Sequence, residues 1–427
     1  MSSQFDVETP EPRTTDRWRV FAPLRFREYR LLIAAVSLSI FAEGMWTVVA
    51  ALQVIALDND PAALSLVATC LGTGLVCFVL VGGIAADRLN RRNIIITVET
   101  INLVVVSIIA VLSSTGTLRL WHMAVAAACL GIAVAFFFPA YSALLPRILP
   151  AEQLLAANGI EGVVRPVLQQ AIGPAAAGVL VGLTFPSVGA TTVAVLFGLG
   201  LVLLVATRPT AVAAEETPVE HKHVLHDLRD GFRFMTRTPW LLWTLLVASV
   251  YVLVVLGPIE VLVPFIAERR FEDGPRAYGF IMAGFGIGSA VGALAVSYAR
   301  MPRHYLTAMM AIWGLGALPL VVVGSTWSFP VMLAATFLVG IGEGASMVIW
   351  GTLLQMRVPT EMLGRVSSLD FFVSLVFLPV SYAIVGPLSK IVPMQWIFVV
   401  SGVVPAVLTA FAWVIARMRA DELAHPL

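Results

Sequence analysis

Twelve long apolar runs, separated by short polar breaks, recur along the chain. Each run is close to the ~20 residues that a helix needs to cross a bilayer, and lipid offers backbone groups no hydrogen-bond partner. With 59% hydrophobic and 12% charged residues, the composition excludes an ordinary soluble domain. The sequence therefore predicts an all-α integral membrane protein with spans near 31–57, 63–86, 94–114, 119–141, 160–183, 189–207, 240–267, 277–299, 305–325, 329–353, 368–388 and 395–416.

Basic residues concentrate in alternate breaks, which predicts the orientation. If the N-terminus is cytoplasmic, most Lys and Arg lie on the inner side. The outer breaks then hold Arg119, Arg269, Arg270, Arg276 and Lys390. The pattern predicts a multi-pass protein of the plasma (cytoplasmic) membrane with both termini in the cytoplasm, and the polar N-terminal segment shows no cleaved signal peptide. Because 27 basic and 26 acidic residues give a net charge of +1, we expect no nucleic-acid partner.

The longest polar stretch, 208–240, divides the chain into two halves. We predict an N-terminal six-helix bundle with a short tail over 1–208, a cytoplasmic linker over 209–239, and a C-terminal six-helix bundle over 240–427. A short amphipathic helix is expected near 226–235. Three histidines, His221, His223 and His226, fall in this linker without Cys or carboxylate companions, so we interpret them as a solvated loop and predict no metal site.

The two halves resemble each other in sequence. LGIAVAFFFPAYSALLPRILPAEQL from Leu130 aligns with VGIGEGASMVIWGTLLQMRVPTEML from Val339, so that Gly131 pairs with Gly340, and further along Glu161 pairs with Asp370. A parallel two-fold repeat of this kind predicts a substrate site near mid-membrane, between the halves.

The stretch SLSIFAEGMWTVVA places Glu43 inside an apolar run, with no Lys or Arg at comparable depth. It lies about twelve residues in from Leu31, or ~18 Å along a helix, near the middle of a ~30 Å bilayer core. Glu260 and Glu343 are acids in similar surroundings. Because burial disfavours a charge, such carboxyls are expected to gain and lose protons as a cavity opens to alternate sides.

Two tryptophans lie at helical spacing from these acids. Trp46 follows Glu43 by three residues and Trp350 follows Glu343 by seven, so each is a candidate aromatic wall for a lipophilic cation. The alternative for Glu43 and Glu343 is a permanently protonated acid bonded to a Ser or a backbone carbonyl. For Glu260 the alternative is a side chain that reaches the wet outer mouth.

The segment GGIAADRLNRRN, after the second run, combines features of an ordered inner loop. We expect Gly83 to allow close helix approach, Asp87 to complement the positive end of a neighbouring helix, and Asn90 to adopt a left-handed turn. The arginines Arg88, Arg91 and Arg92 are expected to anchor the inner face. The alternative is an ordinary positive-inside loop.

These residues resemble the loop 2–3 signature of the major facilitator superfamily, with Asn90 in place of its usual glycine. FFFPAYSALLPRILPAEQLLAANGI resembles a narrower drug:proton antiporter branch, which contains macrolide and multidrug efflux pumps and the enterobactin exporter. In the fifth run, Gly173, Pro174 and Gly178 resemble the helix motif of the exporters, with Ala177 replacing a glycine. Many drug:proton antiporters carry an Arg where this chain has Ala127. The resemblance implies two pseudo-symmetric six-helix bundles whose spans 1, 4, 7 and 10, and with them Glu43, Glu260 and Glu343, line a central cavity.

Further charges lie within two turns of the inner ends of their runs, namely Glu99, Glu161, Arg165 and Asp370. Glu161 and Arg165 are spaced to pair on one helix, and Glu99 is near enough in sequence to Arg91 or Arg92 to hold the loop. We interpret the group as an inner gate that joins the halves when the protein faces outward; the alternative is ordinary interfacial charge. Asn102, Gln169 and Gln170 are polar contacts in the cavity or between helices.

The combined hypothesis is a secondary active exporter that works by alternating access. It would exchange protons, bound at Glu43 and Glu343, for a lipophilic cationic or neutral drug-like compound, as a monomer in the lipid bilayer with no cofactor other than the proton. An alternative cargo is a siderophore or a lipid-like metabolite. A membrane enzyme is a further alternative, and the sequence shows no catalytic motif that would favour it. A non-transporting receptor or scaffold is another, and it would be expected to carry an extra soluble domain.

Overall fold

The computed structural model of the chain describes residues 19–207, 224–299 and 301–425. Twelve helices in this part are long and apolar enough to cross a membrane, which confirms the predicted fold class. They are Arg27–Leu57, Pro61–Ala86, Arg91–Ser114, Leu120–Ser142, Glu152–Leu183, Pro186–Ala206, Pro239–Arg270, Gly274–Tyr298, Tyr305–Ser325, Phe329–Arg357, Leu369–Ile391 and Met394–Ile415, here called spans 1 to 12. The largest difference from prediction is at span 5, which begins at Glu152 because a polar segment continues its helix inward.

Span 5 changes its helical geometry in the middle. A π-helical stretch, Pro166–Ile172, separates Ala151–Arg165 from Gly173–Leu183. Pro174 has no N–H, so one helical donor is missing near the carbonyls of Gln170 and Gln169. These carbonyls press against glycines, Gln169 against Gly44 of span 1 and Gln170 against Gly286 of span 8, where an added Cβ would overlap the oxygen. The break therefore sets the packing of spans 1, 5 and 8.

Span 7 is interrupted in the same way by Pro258. Its π-helical stretches are Val252–Leu256 and Pro258–Leu262. The carbonyl of Leu253 loses its donor because the amide of Gly257 donates to Ser381 instead, and the carbonyl of Val254 loses its donor because Pro258 has no N–H. Ser381 of span 11 donates to the first at 2.7 Å, and Ser401 of span 12 donates to the second at 2.6 Å. Neighbouring serines thus satisfy backbone groups that lipid cannot.

The repeat seen in the sequence is also a repeat in packing. Span 2 packs along span 4, and span 8 packs along span 10. An added Cβ at Gly131 would meet the backbone of Leu71 in span 2, and one at Gly340 would meet the backbone of Phe285 in span 8. The aligned glycines therefore play the same part in each half, where they allow two helices to approach closely.

The halves contact each other toward the ends that the charge pattern assigns to the outside, called the outer ends from here on. Span 5 crosses span 8 where Gly178 meets Gly279. Span 2 packs against span 11, where Gly386 donates from its amide to the hydroxyl of Ser65 at 3.1 Å. Lys390 bonds to Asp60 at the end of the same pair of spans. The outer ends are therefore closed by backbone contacts, hydrogen bonds and an ion pair.

The loop between spans 2 and 3 differs from its prediction at two positions. An added Cβ at Gly83 would meet nothing within 4 Å, whereas one at Gly82 would overlap the carbonyl of Ala135 in span 4. The close approach is thus made by the neighbouring glycine, because one residue turns a helix by a large angle. Asn90 is extended rather than left-handed, with φ of −67°, and it caps span 3 by accepting from the amides of Arg92 and Asn93.

Two short α-helices lie beyond the spans, and a 3-10 helix, Arg19–Arg25, precedes span 1. The linker contains the helix Val224–Arg237, which covers the predicted amphipathic segment, while His221, His223 and the side chain of His226 lie outside the described residues. The helix Met418–Ala424 follows span 12 and brings the buried Glu422 to the start of span 9.

Candidate functional site

Glu43 lies in the middle of span 1, half-buried and turned toward span 5. Gln169 donates from its Nε2 atom to the Glu43 carboxyl at 2.8 Å. The Oε1 atom of Gln169 accepts from Arg165 at 3.5 Å, one turn closer to the inner end. Since a guanidinium only donates, Arg165 orients the amide so that its N–H₂ group faces Glu43. The expectation that no base lies near this acid was wrong in one respect, because Arg165 reaches it through Gln169.

Arg165 is itself held by an acid of its own helix. Its guanidinium pairs with Glu161 at 3.3 Å, the predicted i,i+4 pairing, and lies over the ring of Phe138 at 4.7 Å from the centroid. The Tyr141 hydroxyl lies beside Glu161 on the other side. Glu161, Arg165, Gln169 and Glu43 therefore form one polar line from the inner part of span 5 to mid-membrane.

Glu99 lies deeper than the predicted inner gate. Its side chain is buried, with the residue 2% exposed, beside the hydroxyl of Ser39 and within Coulombic reach of Glu43. Arg92 does not reach it; its guanidinium caps the end of span 6 through the carbonyls of Val205 and Thr207. The predicted link between Glu99 and the loop arginines was wrong, because seven residues of helix carry Glu99 ~10 Å farther into the membrane.

Glu343 of span 10 has an aromatic surrounding that the sequence did not predict. The hydroxyl of Tyr251 and the indole of Trp313 lie beside its carboxyl, and their rings contact each other at 5.3 Å between centroids. One carboxyl oxygen of Glu343, Oε2, is buried without a hydrogen-bond partner. A carboxylate beside two electron-rich rings is a suitable environment for an organic cation.

Trp350 takes a different role from the one predicted. Its indole donates to Asp370 of span 11 at 3.1 Å, and its ring meets Trp240 edge-on at 6.2 Å. Asp370 also accepts from Ser374 at 3.2 Å. These contacts lie within the C-terminal half, so Asp370 and the Glu161–Arg165 pair are each engaged in their own half. Trp46 is half-buried against an apolar cluster to which both halves contribute residues.

Glu260 occupies the second π-helical stretch of span 7. Tyr278 of span 8 and Tyr382 of span 11 lie within Coulombic range of its carboxyl. Tyr382 also bears the carbonyl that accepts a hydrogen bond from Ser65 of the other half. Glu260 is thus next to the closed outer contact rather than at an open outer mouth.

The remaining predicted residues divide between packing and the loop. Gly173 lies against Gly44, Pro174 ends the π-helical stretch, and Gly178 meets Gly279, so the span-5 motif forms contacts to spans 1 and 8. In the loop, Arg88 is exposed, and Arg91 is partly buried with its Nε atom unpaired. The side chain of Asp87 lies outside the part of the chain that the structure describes.

The residues that sequence reasoning missed are partners of the predicted acids, namely Ser39, Tyr251, Trp313, Tyr278 and Tyr382. Gln169 was expected only as a polar contact, and its link to Arg165 had a readable signal, because Glu161, Arg165 and Gln169 follow each other at i,i+4 spacing. The others depend on which helix faces which. Within the described ranges, no group of three His, Cys, Asp or Glu side chains is arranged to hold a metal ion. The site consists of carboxyls, amides and aromatic rings, groups whose chemistry suits protons and organic ligands rather than metal ions.

Comparison with known proteins places this architecture in a family. The model of the family described as transmembrane secretion effector matches residues 19–423. The uncharacterized MFS-type transporter YfiS of Bacillus subtilis is 24% identical over 354 residues, covering 81% of this chain and 83% of that protein. The enterobactin exporter EntS of Escherichia coli is 24% identical over 356 residues, covering 80% of each.

A solved structure agrees in fold. A bacterial homologue of the human lysosomal transporter Spinster, in an inward-facing and unoccupied conformation, has a TM-score of 0.64 and 15% identity, covering 96% of this chain and 99% of that one. These proteins are transporters and not enzymes. The chain therefore belongs to the transmembrane secretion effector family of the major facilitator superfamily and is a multi-pass membrane transporter.

Proposed function

We propose that the protein is a proton-coupled secondary exporter of lipophilic, cationic or neutral drug-like compounds. The proton is its coupling ion, and no cofactor takes part. Protons and substrate compete for the carboxyls of Glu43 and Glu343, with Glu260 as a third acid near the outer contact.

The observation that carries this proposal is the setting of Glu43. An acid at mid-membrane costs free energy, and such acids commonly mark ion or substrate pathways. Glu43 is turned inward, and its one described hydrogen bond to a side chain comes from the neutral amide of Gln169. Arg165 is offset by Glu161, so no free positive charge neutralises Glu43 directly. A carboxyl held in this way remains able to exchange a proton for a cation.

The C-terminal half supports the substrate class. Glu343 combines a carboxyl with the rings of Tyr251 and Trp313, and one of its oxygens is unpaired. A lipophilic cation would find both a charge partner and aromatic surface there. Because Arg165 is paired with Glu161, the described groups around Glu43 offer little attraction to an anion.

Alternating access follows from the distribution of contacts between the halves. The outer ends are closed by Ser65, Gly386, Asp60 and Lys390. On the inner side, Asp370 and the Glu161–Arg165 pair are bonded within their own halves. We interpret this arrangement as the inward-facing state, in which the inner-gate charges have separated. Their pairing across the halves belongs to the outward-facing state.

A second candidate cargo is a siderophore, and one relative favours it. EntS is an enterobactin exporter by name, and it matches 80% of this chain. The two cargoes can be told apart by competition, since a lipophilic cation and a catechol siderophore carry different charges. We also propose that the protein acts as a monomer in the cytoplasmic membrane, with both termini and the 209–239 linker in the cytoplasm.

The test is proton-driven uptake of ethidium, a fluorescent lipophilic cation, into inverted membrane vesicles that contain the protein. We expect uptake in the wild type, and uptake at the level of protein-free vesicles in Glu43→Gln, which keeps the shape of the side chain but binds no proton. The matched control is Glu152→Gln, an exposed acid at the inner end of span 5. Undiminished proton-driven uptake in Glu43→Gln would overturn the proposal. If iron-free enterobactin inhibited ethidium uptake and other lipophilic cations did not, the result would favour the siderophore as the substrate.

A further inference from the structure

Among the described side chains of the N-terminal half, Glu99 is the most deeply buried acid, and the proposed transport cycle does not use it. It lies in span 3 and is 2% exposed, and its Oε2 atom has no hydrogen-bond partner. A carboxylate in this position would carry an uncompensated charge, which is costly in a low-dielectric interior. Glu99 therefore needs either a donor or a proton.

The spans around Glu99 supply no positive charge to it. Span 3 packs chiefly against spans 4 and 6. Span 6 has no titratable side chain. On the helix of span 4, His122 lies in the first turn and Arg147 lies in the last turn, beyond the span itself. Among the described side chains, the ionisable group that faces Glu99 from a neighbouring span is the carboxyl of Glu43. Two close carboxyls disfavour a state in which both are ionised.

The hydrogen bond at Ser39 indicates which acid holds the proton. The Ser39 hydroxyl has one hydrogen, which it donates to the carbonyl of Ala35 at 3.2 Å. A hydroxyl hydrogen engaged at Ala35 is not available to Glu99 at the same time, so Ser39 leaves the buried carboxyl of Glu99 without a committed donor.

Glu43 has the opposite surroundings. It accepts from the amide of Gln169 at 2.8 Å, and this amide is oriented by Arg165. A donor aimed at a carboxyl favours its ionised form. The two acids therefore differ in the hydrogen-bond role that their neighbours assign to them.

We propose that Glu99 is a second proton-binding site, and that Glu99 and Glu43 form a carboxyl pair which holds one proton, on Glu99, in this conformation. The pair takes up its second proton at Glu43. It alternates between one and two protons, and exchange with the cytoplasm or the outside takes place at Glu43. Proton exchange at Glu43 rests on the proposed function, whereas the assignment of a proton to Glu99 does not.

The test is infrared spectroscopy of the full-length, substrate-free protein, which separates the band of a protonated carboxyl from that of a carboxylate. At neutral pH, we expect the wild-type minus Glu99→Gln spectrum to contain a protonated carboxyl band. The wild-type minus Glu43→Gln spectrum should contain a carboxylate band that converts to the protonated form on acidification. If Glu99→Gln instead removed a carboxylate band at neutral pH, Glu99 would be ionised in the wild type, and this result would overturn the proposed pair.

A second variant tests the contact with Ser39 while keeping both acids. Ser39→Ala removes the hydroxyl that lies beside Glu99, so the protonated carboxyl band assigned to Glu99 should shift in frequency. Ser401→Ala, which alters a buried serine of the other half, should leave that band in place. An unshifted band in folded Ser39→Ala would contradict the assignment. Because these readouts do not involve transport, failure of the pair is distinguishable from failure of the proposed export activity, which is judged by uptake in Glu43→Gln.

Discussion

The hydroxyl of Ser65 in span 2 accepts a 3.1 Å hydrogen bond from the backbone amide of Gly386 in span 11, across the interface between the halves. The same hydroxyl donates to the carbonyl of Tyr382, four residues earlier in span 11. Ser65 is thus inserted between an amide and a carbonyl that a regular helix would join directly. Ser381 is inserted in the same way between Leu253 and Gly257 of span 7. Two serines therefore connect span 2 to span 11 and span 11 to span 7.

Replacement of Ser65 by alanine is expected to loosen the closed outer ends. The amide of Gly386 and the carbonyl of Tyr382 can then bond to each other, so span 11 keeps its structure while the cross-half bonds are lost. Loss of a buried hydrogen bond of this kind is expected to cost the closed state about 1 kcal/mol. Distances between spin labels at Thr184 and Ser328, two exposed outer positions in different halves, should show a larger long-distance population.

The control for this change is Ser389→Ala. The Ser389 hydroxyl bonds at 2.7 Å to the carbonyl of Gly386 within its own helix, so its loss should leave the label distances unchanged. Equal distance distributions in Ser65→Ala and wild type would contradict the proposed role of Ser65.

Valine at Gly279 is expected to prevent the crossing of spans 5 and 8. A Cβ at this position would lie 2.6 Å from the carbonyl oxygen of Pro174 and 2.8 Å from the Cα of Gly178. Both neighbours are backbone atoms, so the helices must separate. We expect a shift toward the outer-open state and a large loss of transport.

Alkylation of a cysteine placed at the buried Met282 measures this opening. In a background that lacks the native cysteines, a membrane-impermeant maleimide applied from outside should react faster in Gly279→Val. Gly351→Val is the matched control, because a Cβ there meets nothing within 4 Å. No change in the reaction rate in Gly279→Val would show that the crossing is not part of the closed outer contact.

The ion pair between Asp60 and Lys390 is expected to be insensitive to pH between about pH 5 and 8. The hydrogen bond from Lys390, followed by that from the backbone of Ala62, lowers the pKa of Asp60. A lowered pKa in the closed state means that the stabilisation is fully present above the ordinary value of about 3.9 and is lost as the pH falls through the lowered value.

Asp60→Asn should therefore weaken outer closure by a constant amount between about pH 5 and 8, and the difference from wild type should vanish only in stronger acid. The variant keeps the side-chain oxygen that caps span 2, so it isolates the charge. Label distances measured across this pH range check the prediction. A difference that disappears near neutral pH would instead make Asp60 a proton sensor.

Glu422 is expected to stabilise the C-terminal half. Its carboxyl is buried and accepts from the amides of Leu306 and Thr307 at 3.1 Å each, from the Thr307 hydroxyl at 2.8 Å, and it contacts His304 at 2.9 Å. These bonds satisfy the free amides at the start of span 9. Glu422→Gln should lower the free energy of unfolding by roughly 1–3 kcal/mol.

Thermal unfolding of purified protein in detergent measures this loss as a lower Tm. Glu272→Gln, at an exposed outer position, is the control and should leave the Tm unchanged. A Tm of Glu422→Gln equal to that of wild type would show that the cap contributes nothing to stability.

The fold was predictable from the sequence because a bilayer forces apolar runs of this length into helices, and because the repeat and the loop 2–3 residues indicated two related halves. The Glu161–Arg165 pairing was predictable for the same kind of reason, since it depends only on helical spacing. The contact between Glu43 and Gln169 was not predictable. Span 1 is largely apolar on all sides, so no periodic pattern sets which of its faces meets the polar side of span 5.

The breaks in spans 5 and 7 illustrate the same limit. Pro174 and Pro258 mark positions where a helical donor is missing. What the carbonyls at these positions then meet depends on tertiary contacts: they pack against glycines of spans 1 and 8 in one case, and they accept hydrogen bonds from Ser381 and Ser401 in the other.

The central claim is that Glu43 exchanges protons for substrate, and proton movement driven by a substrate gradient tests it most directly. Proteoliposomes with a trapped pH-sensitive dye receive an inward or outward gradient of tetraphenylphosphonium, a non-fluorescent lipophilic cation. We predict that wild-type protein moves protons against the direction of the cation and that Glu43→Gln moves none. Proton flux in Glu43→Gln equal to that of wild type, or cation transport by the wild type without proton flux, would contradict the account.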